Sequence, residues 1–237
     1  MSTIVTYNRG AQGLPVAGSS TDARLRVWED FTGNTVTTIV AAANGWVLDD
    51  GGGGRIKNGT VGNVTNGITK LVSPDMLTVG DEMSFVVRAK FTGARTAGIE
   101  EFAFGFGQAS GLATALSHVF AMEVHTHAAS ADDAYTVRVD DNINDSGPLS
   151  GKIPLIAGLE DFDPFAFFTA GAVLRNEGSH YLARFFINGV QVRETRIVDA
   201  GATSEFTDGR MGFFLAQPVV AAGGAAIVDY IAFDTER

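Results

Sequence analysis

Glu123, His125 and His127 recur at two-residue intervals within the segment Val119 to His127. In an extended chain that spacing puts all three side chains on one face. One carboxylate and two imidazoles form a donor set suited to zinc or another transition metal. Same-face neighbours on a strand lie about 7 Å apart, so three of them converge on one ion only through a twist or a bulge. Phe120, Met122 and Val124 fill the alternate positions, so the same spacing also describes a polar outer face over an apolar inner one. A second oxygen-rich run, Asp140-Asp141-Asn142-Ile143-Asn144-Asp145-Ser146-Gly147, partly matches a calcium loop, with Asp140, Asn142 and Asn144 at ligand positions. Asp145 stands where the loop's glycine belongs, and Gly151 where its bidentate glutamate belongs. A solvated Asx-type turn is the default reading of the run. These six residues are metal candidates only, zinc-like for the first three and calcium-like for the second three, and no cofactor is assigned.

Other chemistries find less footing. Glu100-Glu101, Asp132-Asp133 and Asp140-Asp141 are adjacent pairs, and Glu123 has no acidic partner two or four residues away. No Ser-His-Asp order stands out. Gly51 to Gly54 is followed by no Lys-Ser/Thr and opens no helix, so it reads as a hairpin tip rather than a phosphate cradle. With no cysteine, thiolate metal sites, disulfides and a cysteine nucleophile are excluded. A net charge of −10 gives no attraction to phosphates or to an anionic membrane surface. Asn58-Gly59-Thr60 and Asn63-Val64-Thr65 match the glycosylation pattern but lie in a Thr-rich turn region. Trp28, Trp46 and Tyr135 could stack on sugar rings. Trp46, beside a turn, is the leading candidate ligand residue, against its use as a buried aromatic plug.

The elements that must position these residues are strands. Met83 to Phe91 sets Phe85, Val87, Ala89 and Phe91 on one face and Ser84, Arg88 and Lys90 on the other. Phe102, Phe104 and Phe106 alternate with Ala103, Gly105 and Gly107, an aromatic face backed by almost no side chains. Glycine in a strand often marks close approach by another backbone or a ligand, and flat packing against a second sheet is the commoner cause. Tyr181 to Ile187 runs into Asn188-Gly189, the pair that favours a two-residue type I′ turn, and Val190 to Ile197 returns. Further strands are expected at His118 to His127, Tyr135 to Asp140, Asp163 to Val173, Gly209 to Leu215 and Ala226 to Asp234. Ser110 to Ser117 has room for one helical turn. Three Asn-Gly pairs, at 44, 58 and 66, predict tight turns around Trp46. Residues 1 to 25 carry little periodicity and read as an extended arm or an edge strand, or equally as a loosely attached terminus.

Together these segments resemble the concanavalin A-like lectin and laminin-G-like jelly-roll superfamily. The matching pieces are Asp30-Phe31, Gly45-Trp46, the hairpin around Asn188-Gly189, the Gly-x-x-Gly-Phe strand at Gly209 to Phe213, and Val228-Asp229-Tyr230-Ile231. The resemblance implies an all-β, two-sheet antiparallel jelly-roll sandwich over residues 26–237, preceded by an N-terminal arm over 1–25, with Asp229 facing inward on the last strand. Glycan hydrolases of the superfamily carry Glu-x-Asp-x-Glu on one strand, which would aim three carboxylates into one cleft. That spacing is absent here, so no catalytic residue is assigned and no enzyme is expected.

In composition the chain also looks like bacteriophage virion proteins, being rich in Ala, Gly, Thr and Val, acidic, cysteine-free and without an apolar leader. The leading expectation is therefore a structural or interaction module of a phage particle, a capsid decoration, head-fibre or tail component assembled in the host cytoplasm. Its partners would be other virion proteins or further copies of itself, with no nucleic acid and no membrane. The alternative is a carbohydrate-binding, lectin-like domain.

Overall fold

The computed structural model describes residues 3–8, 23–31, 46–49, 54–58, 65–67, 82–92, 100–108, 117–126, 135–140, 152–153, 162–197, 211–219 and 225–236. Every regular element among them is a strand. In chain order these are β1 (Thr3–Asn8), β2 (Ala23–Glu29), β3 (Trp46–Leu48), β4 (Ile56–Asn58), β5 (Thr65–Gly67), β6 (Glu82–Thr92), β7 (Glu100–Gln108) and β8 (Ser117–Thr126). They continue with β9 (Tyr135–Asp140), β10 (Lys152–Ile153), β11 (Phe168–Asn176), β12 (Tyr181–Ile187), β13 (Val190–Ile197), β14 (Met211–Val219) and β15 (Ala225–Glu236).

Two antiparallel sheets pack face to face. The larger runs β1-β2-β15-β6-β11-β12-β13, with β4 paired to β15 and β3 to β4; the smaller runs β10-β9-β8-β7-β14-β5. The chain is an all-β jelly-roll sandwich. Consecutive hairpin pairs alternate with neighbours far apart in sequence, as when β6 lies between β11 and β15.

Strict alternation along β6 generates the core. Met83, Phe85, Val87, Ala89 and Phe91 are buried, while the residues between them are partly exposed. Phe85 is the hub. Its ring meets Phe104, Phe106, Phe120 and Phe213 of the opposing sheet at centroid distances of 6.1, 6.0, 5.4 and 6.0 Å, each edge to face. That is the geometry the aromatic quadrupole favours.

The hairpin β12–β13 closes as the sequence predicts. Asn188 and Gly189 have φ of 48° and 80°, the type I′ combination. Asn188 N–H donates to the Thr169 carbonyl at 2.7 Å, and Thr169 N–H donates to Asn188 Oδ1 at 2.9 Å, which ties the turn to β11. The β3–β4 hairpin spans the glycine run, closed by Asp49 N–H donating to the Arg55 carbonyl at 2.9 Å.

The structure departs from the sequence expectations, or decides between them, at several places. Asn66-Gly67 is not a turn: it belongs to β5, where pairing with Leu215 and Phe214 of β14 overrides local turn preference. Gly105 answers to its neighbour strand, not to the facing sheet. At its φ of 146° an added Cβ would sit 2.5 Å from the Phe120 carbonyl oxygen and 2.6 Å from Ala121 Cα. Ser117 opens β8, and the rest of the expected helical turn lies outside the described residues. The run expected from Asp163 becomes strand only at Phe168, because Asp163 Oδ1 accepts the Phe165 N–H at 3.0 Å and holds a turn before it. Toward the N-terminus, Thr3–Asn8 pairs with Ala23–Glu29 as an edge strand, and residues 9–22 lie outside the described set.

Phe85→Ala is expected to lower unfolding free energy by about 3–5 kcal/mol, read from urea denaturation of the purified chain. Gly105→Ala, which introduces a clash without removing any apolar atom, is expected to destabilise in the same assay; a neutral result would show that β7 and β8 can separate locally.

Candidate functional site

One row of residues crosses the outer face of the large sheet. In register it reads Trp28 on β2, Ala232 on β15, Val86 on β6, Gly171 on β11 and Phe186 on β12. Aromatic side chains stand at the ends and small ones between them. Four inter-strand steps of about 4.8 Å set the walls about 19 Å apart. A trough follows from side-chain size alone, and it encloses about 590 Å³. That volume falls in the range of small-ligand sites. Gly171 keeps the floor low because any side chain there would collide with the Phe85 carbonyl oxygen of β6.

Trp28 is 53% exposed, unusual for so large an apolar surface. Tyr230 stacks on one side of it, with centroids 4.7 Å apart and planes 19° from parallel. Ser84, Thr169 and Asp234 add polar groups to the lining. Gly189, at the hairpin turn held by Thr169 and Asn188, closes one end.

Beside the trough lies a cluster of cations. Arg88 is directly across from both Tyr230 and Thr169 in the sheet register. Its guanidinium carbon stands 4.6 Å from the centre of the Phe167 ring, that of Arg55 4.8 Å, and Lys90 Nζ 4.9 Å. Asp229 bridges the two arginines, accepting from Arg55 Nε at 3.2 Å and from Arg88 Nη1. This corrects the inward-facing Asp229 that the resemblance implies. The register of β15 against β6 skips between Val228 and Tyr230, and this bulge carries Asp229 to the outer face while Val228 and Ile231 stay in the core.

The sequence candidates separate accordingly. Trp46 is fully buried, edge-on to Phe102 at 6.1 Å, so it is the aromatic plug and not a surface plate for a sugar. Its indole N–H finds no acceptor among the described residues. Trp28, the lesser candidate by sequence, is the exposed indole. Glu123 and His125 occupy positions on β8 opposite Arg138 and Thr136, alternating with buried Met122 and Val124. Asp140 ends β9 opposite Ala121; His127, Asn142 and Asn144 lie outside the described residues. Among the described residues no three His, Asp or Glu gather in a metal-holding arrangement. Phe186 carries no motif that marks it in sequence, and Tyr230 lies in a segment that marks the fold but no ligand role. Their traces are Val86, an apolar residue among Ser84, Arg88 and Lys90, and the adjacent Phe185-Phe186, of which only one can face the core.

This architecture is a concanavalin A-like jelly roll, and solved structures of that fold resemble it. Peanut lectin aligns with a TM-score of 0.54 at 10% identity, over 90% of this chain and 98% of the lectin. The Emp47p carbohydrate recognition domain aligns with a TM-score of 0.55 at 14% identity, over 87% of this chain and 93% of that domain. An endo-1,3-beta-glucanase from Streptomyces sioyaensis aligns with a TM-score of 0.53 at 14% identity, over 93% and 99%. No protein-family model and no curated protein matches the sequence. At such identities the likeness defines the fold and leaves the site to be argued from its own residues.

The two tryptophans are expected to behave oppositely on truncation. Trp46→Ala should cost about 3–5 kcal/mol of stability, whereas Trp28→Ala, losing one exposed ring and one stack, should cost about 0.5–1.5 kcal/mol. Thermal and urea unfolding of the two variants side by side checks this.

Proposed function

We propose that the chain is a non-enzymatic carbohydrate-binding module, with the trough between Trp28 and Phe186 as its sugar site. The observation that carries this reading is the exposed Trp28 plate, braced from behind by Tyr230 and set beside an apolar trough with a few polar groups. A sugar ring presents a C–H face to an aromatic plane and hydroxyls at its edge. Indole and phenol supply the first contact at low entropic cost. Ser84, Thr169 and Asp234 supply donors and acceptors for the second. The strands hold all of these on a rigid sheet, so little ordering is required on binding.

The fold supports the reading without fixing it. Two of the similar structures are a lectin and a carbohydrate recognition domain, and another, the Ulex europaeus lectin I, was solved with the methyl glycoside of alpha-L-fucose. The similar glucanase shows that the same architecture also hosts catalysis. Against an enzyme stands the lack of any Glu-x-Asp-x-Glu strand in this sequence. The virion reading rests on composition alone; neither the trough nor any of the similar structures adds to it.

Binding of the full chain to an immobilised glycan panel tests the proposal. Weak, selective retention is expected, reduced at least tenfold in Trp28→Ala and in Val86→Phe, which fills the floor without opening the core. Retention unchanged in both variants, with both folded by circular dichroism, would place any sugar site elsewhere.

A further inference from the structure

We infer that the trough selects acidic saccharides, holding a sugar carboxylate on the cations gathered around Phe167. This rests on the carbohydrate reading above and specifies which sugars it concerns. Arg55, Arg88 and Lys90 all stand within 5 Å of one ring centre, yet an aromatic ring has two faces and one weak quadrupole to offer them. Asp229 is the carboxylate that pairs with the arginines, and among the described residues no carboxylate pairs with Lys90. Among the described residues, three positive charges against one negative leave the cluster with a surplus of two, on a chain whose net charge is −10. Nearby Lys57 is already matched by Asp49 at 3.4 Å and does not offset the surplus.

Position makes the surplus relevant. Arg88 and the trough-floor Val86 are same-face neighbours on β6, about 7 Å apart. Tyr230 and Thr169, which line the trough, flank Arg88 on β15 and β11. A short oligosaccharide with one ring on Trp28 therefore reaches the cation cluster, since Arg88 lies two strands across and two residues along from it. The side chains of Arg55 and Arg88 are 34% and 38% exposed, open to a solvent-borne anion while still partly shielded from competing water. Arginine forks suit a planar carboxylate held by two parallel N–H donors. The bulge at Asp229 contributes by pre-orienting both guanidinium groups.

The test compares oligomers of galacturonic, glucuronic, mannuronic and guluronic acid, each with its methyl ester, by calorimetry on the full chain. Each pair shares ring, linkage and length and differs in charge. At least one acid is expected to bind tenfold or more tightly than its ester, with the advantage shrinking as NaCl is raised from about 50 to about 500 mM. Lys90→Gln and Arg88→Gln are expected to erase that advantage, bringing acid and ester affinities together, and unaltered melting temperatures would exclude misfolding as the cause. If acids and esters bind equally and both depend on Trp28, acid selectivity is overturned and the carbohydrate reading survives. If sulfated sugars bind through Lys90 and Arg88 while every uronate fails, the carboxylate assignment is overturned. If no saccharide binds in a Trp28-dependent way, both readings fall together.

Discussion

Phe85 fastens the two sheets to each other, and much else depends on its being there. Its ring sits among four phenylalanines of the smaller sheet, drawn from β7, β8 and β14. Edge-to-face packing of that many rings tolerates little displacement, since interiors of this kind are as dense as organic crystals. The side-chain period of two then leaves no freedom to the rest of β6. With Phe85 inward, Ser84, Val86, Arg88 and Lys90 must point outward. The trough floor and the cation beside it are thus placed by the core. The neighbours of β6 are fixed in turn, because β11 and β15 pair with it over most of its length.

The outer face illustrates how a flat antiparallel surface acquires relief. No loop or helix is needed: Ala232, Val86 and Gly171 are short, Trp28 and Phe186 are long, and register lines them up. One irregularity adds charge to this landscape. The bulge between Val228 and Tyr230 shifts the parity of β15, so that the strand contributes Val228 to the core, Asp229 to the arginines and Tyr230 to the stack within three consecutive residues. Bulges commonly re-aim side chains in this manner.

Much of the fold is legible in the residues because it is written in short-range rules. Alternation marks β6, β7, β8 and β12, and Asn188-Gly189 marks the hairpin, since each signal needs only a few neighbouring residues. What stays hidden is decided at long range. Asn66-Gly67 looks like a turn because no local feature announces β14 as its partner. The pair Trp28 and Tyr230 lies 202 positions apart in sequence, so its stack is created by strand order alone. Trp46 resembles a surface plate for a related reason: a tryptophan near a turn looks the same in sequence whether it points to water or to Phe102. The parity change at Asp229 is equally hidden, because a bulge moves a side chain without altering any residue type.

The chain contains two tryptophans, one fully buried and one 53% exposed. They divide the near-ultraviolet optics of the molecule between two places. Trp46, enclosed against Phe102, emits from an apolar medium and is closed to aqueous quenchers such as iodide. Trp28 emits from water, is open to those quenchers, and lies within van der Waals range of a tyrosine that can pass it excitation energy. Red-edge and blue-edge emission therefore follow different parts of one unlabelled protein, the trough and the sandwich interior.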